Sequence, residues 1–229
     1  MFKFLDVGSR GGISSEWDSF KSRMSVSLFE PDKKEAQSLI SKCSSFSKIN
    51  VLDCAAGDMD ATLPLYITKS NQCSSLLKPD IDWLKDRYPV FSQFFEVSGS
   101  VLVDVRRIDT LINSGALEVP HALKIDVQGF EFQVMKGAGA YLEQIMAIRI
   151  EAHFRNLYIG EADFSEINKF LESKGFSLRK FLHDKPHYFA GDLIEVDAFY
   201  INRKYFRDNP RKLNEEALNI INSAWDLNT

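Results

Sequence analysis

The sequence predicts an α/β fold, a Rossmann-like, mostly parallel sheet with helices on both faces, and three observations carry that expectation. An apolar run from Phe2 to Val7 leads straight into a glycine turn, Asp6-Val7-Gly8-Ser9-Arg10-Gly11-Gly12. The next apolar run ends in an acid, Glu30-Pro31-Asp32. Short apolar runs then alternate with helical patterns for most of the chain, the sequence form of repeated βαβ units.

Taken in order, strands are expected near 2–7, 25–30, 48–55, 121–126, 146–152, 176–182 and 193–202, with helices between them. The first helix follows the Pro31 turn, where Ala36, Leu39, Ile40 and Cys43 form an apolar stripe at helical spacing. A second starts near Gly129, with Phe130, Val134 and Ala138 four residues apart. The segment 56–112 is less regular: Leu63 to Thr68 reads as an extra strand, and 71–99 as an excursion that either covers a pocket as a lid or is a plain insertion. Leu213, Ala217, Leu218, Ile221 and Ala224-Trp225 mark a C-terminal amphipathic helix over 213–226.

At 229 residues the chain suits one α/β domain, 1–229, with a large core to which eighteen phenylalanines contribute. A net charge of −4 argues against a broad nucleic-acid surface, and the cluster Arg203, Lys204, Arg207 and Arg211 reads as a solvated face. Three cysteines, Cys43, Cys54 and Cys73, without C-x-x-C spacing indicate neither a disulfide framework nor a zinc site, which fits a reducing cytoplasm. No apolar run approaches the roughly 20 residues that span a bilayer, and a soluble cytoplasmic protein is expected. The chain opens directly in its first strand, so no N-terminal arm is expected over a ligand.

The turn and the acid together describe a nucleoside pocket. The dinucleotide fingerprint G-x-G-x-x-G needs a second glycine two residues after the first so that a pyrophosphate can reach a helix N-terminus. Here that position is Arg10, and the glycines stand at 8, 11 and 12. Such a turn suits a ligand without phosphates whose amino-acid part lies against the loop, of which S-adenosylmethionine is the common example. Gly8, Ser9, Gly11 and Gly12 are then expected to bring backbone close to the ligand, and Glu30 to accept hydrogen bonds from two ribose hydroxyls. An isolated glycine turn also serves as a structural corner, and it is Glu30 that favours a cofactor. Cys54-Ala55-Ala56-Gly57-Asp58 closes the third strand, where Asp58 either meets the adenine or belongs to an ordinary Gly-Asp turn.

Asp126, at the end of the run Ala122-Leu123-Lys124-Ile125, marks a second rim position, followed by a tight turn and a helix start at Val127-Gln128-Gly129-Phe130-Glu131. Glu131 there suits the positive end of its helix. In Ile148-Arg149-Ile150-Glu151-Ala152-His153, alternation puts Glu151 and His153 on one side, near Asp126 if the two strands are neighbours. Asp6, Glu30, Asp126 and Glu151 thus collect on one rim, which is costly unless they bind something. Asp126, Glu151 and His153 are the expected catalytic group for methyl transfer to oxygen, with His153 as base or the acids holding a divalent cation. A structural pair of His153 with a carboxylate is the plainer alternative.

The order DVGSRGG, LFEPD, AAGD, SSLL, RIDTLI, LKIDVQGFEFQVMKGA and IRIEAHF, ending in GFSLRKF, resembles the FkbM-like methyltransferases over roughly residues 2–202. Its most specific part is the KID-x-x-G-x-E block from Lys124 to Glu131. The resemblance implies a seven-stranded S-adenosylmethionine-dependent fold with an antiparallel last strand, and O-methylation of a sugar, glycan or natural-product hydroxyl. It carries the family's cofactor positions onto Asp6, Gly8, Gly12 and Glu30, and the acid after its fourth strand onto Asp126. Arg10 stands where the family often has Asn, and Gln128 where it often has Glu. The expected partner is a small-molecule or glycan acceptor. Competing readings are an NAD-binding oxidoreductase, which shares the strand, glycine turn and acid, and a non-catalytic S-adenosylmethionine-binding protein.

Overall fold

The computed structural model describes residues 1–209 and 211–227, except for the side chains of 183–187 and 211–213. Its centre is a seven-stranded sheet made of β1 (Phe2–Val7), β2 (Met24–Phe29), β3 (Lys48–Leu52), β7 (Ala122–Ile125), β8 (Ala147–His153), β9 (Phe176–Phe189) and β10 (Asp192–Asn202), in the order β3-β2-β1-β7-β8-β10-β9. The pairs from β3 through to β8 are parallel, while β10 runs antiparallel to both β8 and β9. The expected antiparallel last strand is therefore present, inserted between β8 and β9.

The strands are apolar on both faces because both are covered. Leu5, Val7, Ile125 and Ile150 pack on one side with α5 (Glu131–Gly137) and α6 (Phe164–Ser173). Phe2, Phe4, Val26 and Leu28 alternate to the other side, where they meet Leu39 of α1 (Lys33–Lys42) and Ile221 and Trp225 of α8 (Arg211–Trp225). Asp32 caps α1 by accepting from the N–H groups of Lys34 and Glu35, so the helix starts one residue after the Pro31 turn. Ile40 departs from the expected stripe and is 56% exposed, leaving Ala36, Leu39 and Cys43 as the buried face. In α8 the inward face is Ala217, Ile220, Ile221 and Trp225, with Leu218 only half-buried. Leu213 and Arg211 fall among the side chains outside the described set.

The third strand is shorter than expected. It leaves the sheet after Leu52, and Ala55–Ala56 form β4 of a second, three-stranded sheet with β5 (Ala61–Thr68) and β6 (Val97–Arg106), order β4-β6-β5. The extra strand expected over 63–68 is β5, and β6 is an element the sequence pattern had not announced. Between them lies the excursion, with α2 (Ile81–Arg87) and α3 (Pro89–Phe95). It is docked at several points: Asp80 N–H donates to Leu157 O (2.9 Å), Ile159 N–H to Lys78 O (2.9 Å), and Tyr88 Oη to Asp192 (2.8 Å). Leu84, Tyr88 and Phe95 bury against Leu157, Tyr158 and Ile194, which fastens the excursion beside the carboxyl ends of β7 and β8. Among the described residues, no helix is long and apolar enough to cross a membrane.

Candidate active site

Parallel pairing brings the expected residues to one edge. Val7 lies beside Phe29 and Ile125, and Ile125 beside Ile150, so Asp6, Glu30, Asp126 and Glu151 all stand at the same rim.

In the glycine turn, Gly8 has φ +86° and is packed so closely that a Cβ would lie 1.8 Å from the Asp126 carbonyl oxygen. The glycine is thus required by the approach of two strand ends, since the Cβ direction is filled by protein. The turn also spends its N–H groups internally. Gly8 and Ser9 donate to Phe29 O (3.3 and 3.1 Å), Gly12 to Ser9 O (2.9 Å) and Gly11 to Glu35 Oε1 (3.0 Å). Ser9 Oγ donates to Asp6 O (2.7 Å) and is buried. Gly11, at φ +88°, has open space where a side chain would stand.

Glu30 is 3% exposed, and its Oε1 accepts from Asp32 N–H (2.9 Å). Burial raises its carboxyl above the ordinary range, although the Asp32 N–H and the Arg10 guanidinium favour its charged form. Arg10 reaches 3.7 Å from Glu30 and 3.3 Å from Asp32, so this unusual turn residue screens the acids that end β2.

Lys124 lies between the buried carboxylate of Asp6 and the half-buried one of Asp126, 3.4 Å from Asp6 Oδ1 and 3.1 Å from Asp126 Oδ2, and donates to Gly8 O (3.3 Å). Asp6 is pushed up to about 6 by burial, with Lys124 opposing, and its Oδ1 has no hydrogen-bond partner. For Asp126 burial also disfavours charge, but Lys124 and the Gln128 amide outweigh it and hold the carboxyl below its usual range. Burial and the two facing carboxylates move Lys124 in opposite directions, and the carboxylates prevail, raising it.

Gln128 sits in the left-handed region at φ +59° and links the two halves of the rim. Its amide nitrogen donates to Glu151 and, at 3.4 Å, to Asp126, while its carbonyl accepts from Tyr158 Oη (3.2 Å). Glu131 is buried and accepts from Val127 N–H (2.8 Å); burial pushes it up to about 7, so it braces the turn from within as well as beginning α5.

Glu151 and His153 do share one face, as alternation requires, and they are joined by two acids that strand periodicity alone did not reveal. His153 is 2% exposed; its Nδ1 bonds Glu161, whose other oxygen accepts from Leu157 N–H (2.7 Å) and Tyr158 N–H (3.1 Å). Its Nε2 faces Glu195 Oε2 at 3.2 Å and Glu151 Oε2 at 3.5 Å. Glu195 pairs with His153 across the antiparallel β8–β10 ladder. Burial, Asp126 and Glu195 raise Glu151 well above the carboxylate range. For His153 burial works against the charged ring, but Glu161, Glu151 and Glu195 raise it well above the imidazole range.

Asp58 stands in the loop between β4 and β5. Its carbonyl accepts from the Arg107 guanidinium, and its loop packs on the far end of α5, where a Cβ on Gly137 would meet Gly57 O at 1.9 Å. Among the described residues, no hydrogen bond or ion pair joins Asp58 to Glu30 or to the glycine turn. The signal for Glu195 lay in the alternation of Ile194-Glu195-Val196-Asp197, readable only once β10 is known to run antiparallel beside β8.

The chain matches the methyltransferase FkbM domain over residues 6–178. Among solved structures, it is similar to the FkbM methyltransferase of Methylobacillus flagellatus KT, 19% identical, with a TM-score of 0.54 over 87% of this chain and 43% of that one. This chain therefore spans less than half the length of that relative. It also aligns with the magnesium protoporphyrin IX methyltransferase of Synechocystis PCC 6803, solved with bound S-adenosylmethionine, at 8% identity and a TM-score of 0.44, over 88% of this chain and 70% of that one. No curated protein matches the sequence. The domain match, together with an order of motifs that follows the rim from Asp6 to Glu151, assigns the chain to the FkbM methyltransferase family.

Proposed function

We propose that the protein is an S-adenosylmethionine-dependent O-methyltransferase whose acceptor is a hydroxyl of a sugar, a glycan or a natural product. The observation that carries this reading is the buried Glu30 carboxylate at the end of β2, beside a glycine turn that lacks the pyrophosphate pattern. A carboxylate there accepts two hydrogen bonds from a ribose diol. The donor set is compatible with the rest of the cofactor: the buried Asp6 Oδ1 makes no hydrogen bond of good geometry, only a 3.4 Å ion pair with Lys124, and would accept from the cofactor's ammonium group. The cofactor supplies an electrophilic methyl on a sulfonium.

Asp126, Glu151 and His153 then hold the acceptor hydroxyl and assist the loss of its proton. The methyl–sulfur bond breaks with its electron pair left on sulfur, a methyl–oxygen bond forms, and the hydroxyl proton passes to this cluster. The excursion 71–99, fastened beside the same rim, is the proposed cover over the acceptor. A thermal-shift comparison tests the reading: S-adenosylhomocysteine raises the melting temperature and NAD does not. Stabilisation by NAD alone would overturn it in favour of a dinucleotide enzyme.

A further inference from the structure

We propose that Glu151, His153 and Glu195 form a binding site for one first-row divalent cation of the Mn²⁺ or Zn²⁺ type. One ligand atom from each residue lies within 4.8 Å of the others. The separations of His153 Nε2 from Glu195 Oε2 and Glu151 Oε2, 3.2 and 3.5 Å, bracket the spacing of about 3.4 Å that two donors adopt around a tetrahedral ion at about 2.1 Å from each.

The second observation is His153 itself. Its Nε2 is buried and lies 3.2 and 3.5 Å from the two carboxylates without a hydrogen bond of good geometry to either. Its other nitrogen, Nδ1, is already committed to Glu161. That carboxylate is fixed in turn by the N–H groups of Leu157 and Tyr158. A carboxylate behind the distal nitrogen is the arrangement that orients a metal-binding imidazole and turns the lone pair of its other nitrogen toward the ion. Gln128 does the same for Glu151 by donating to it. Binding releases the Nε2 proton, after which two carboxylates and a neutral imidazole cancel a 2+ charge, and the nitrogen donor favours a transition metal over Ca²⁺ or Mg²⁺.

Further ligands would be oxygens of water or of the acceptor. Bound there, the ion would polarise the acceptor hydroxyl and ease its deprotonation, a role that rests on the methyltransferase reading. Binding of the ion does not rest on it. Glu161 is a positioning residue in this scheme, since it acts only through His153.

The test is a titration of chelator-treated protein with Mn²⁺, followed by the loss of the free-ion electron paramagnetic resonance signal, with S-adenosylhomocysteine affinity measured on the same samples. One Mn²⁺ per chain is expected, with affinity falling more than tenfold in Glu195→Gln and by roughly 10- to 100-fold in Glu161→Gln. S-adenosylhomocysteine affinity is unchanged in both variants, which also shows that they are folded. No Mn²⁺ binding by the unsubstituted protein, or equal binding by Glu195→Gln, overturns the site. Failure of the unsubstituted protein to bind S-adenosylhomocysteine counts against the methyltransferase reading alone and leaves the Mn²⁺ result to stand.

Discussion

A Cβ on Gly8 would lie 1.8 Å from the backbone carbonyl oxygen of Asp126, so the turn after β1 and the turn after β7 are in mutual contact through a single missing side chain. The contact makes one rim out of two strand ends. It also separates the roles of the glycines, since Gly11 carries a comparable positive φ with open space around it.

Gly8→Ala and Gly11→Ala should therefore differ sharply. The first combines left-handed strain with a backbone collision and should cost about 2–6 kcal/mol. The second carries only the conformational strain, about 1–2 kcal/mol. Urea denaturation of the two variants checks this, and equal destabilisation would show that the Gly8 contact does not constrain the fold.

Asp6 should make stability fall as pH rises. Its carboxyl is raised from 3.8 to about 6 in the folded state, so between these values the native state holds more protons than the unfolded chain. The penalty is absent below about 3.8, grows through the window and is complete above about 6. Asp6→Asn removes it, so the variant should gain about 1 kcal/mol relative to the unsubstituted protein between about pH 5 and pH 7. Parallel denaturation curves at the two pH values measure the difference, and an advantage of Asp6→Asn that is no larger at pH 7 than at pH 5 would contradict the account.

Gln128→Glu should destabilise the rim. The amide nitrogen that donates to Glu151 and Asp126 would become a carboxylate oxygen facing two others. A loss of about 1–3 kcal/mol is expected at neutral pH, read as a lower denaturation midpoint. An unchanged midpoint would mean that the Gln128 contacts contribute nothing net.

Glu151→Gln should separate chemistry from cofactor binding. If Glu151 holds the acceptor and helps take its proton, methyl transfer should fall by roughly 10²- to 10⁴-fold. S-adenosylhomocysteine affinity, which the proposal assigns to Glu30 and Asp6, should remain. Radiolabelled methyl transfer to a hydroxylated acceptor, paired with calorimetry, reads both quantities, and full turnover would remove Glu151 from the reacting group.

Much of this architecture is legible in local sequence, and the rest depends on pairing between distant segments. Runs such as Phe2–Val7 and Ala147–His153 declare strands because both faces are buried, and Asp6, Glu30, Asp126 and Glu151 declare the rim because parallel strands end on the same side. What the pattern misses is non-local. Glu195 joins His153 only through the antiparallel β8–β10 register, and Glu161 reaches it from a loop with no periodicity. Asp58 looked like part of the third strand's end, but the chain leaves that sheet after Leu52 to pair Ala55 and Ala56 with β6. Gly8 was legible as a close approach, though the partner that fills its space is the Asp126 carbonyl.

The central claim, that the rim binds S-adenosylmethionine through Glu30, is tested most directly by calorimetric titration of S-adenosylhomocysteine into the unsubstituted protein and Glu30→Ala. Loss of a charge-assisted pair of hydrogen bonds amounts to about 1.5–3 kcal/mol, so affinity should fall tenfold or more while the melt stays cooperative. Equal affinity in the two proteins, or no binding to the unsubstituted one, would contradict the account.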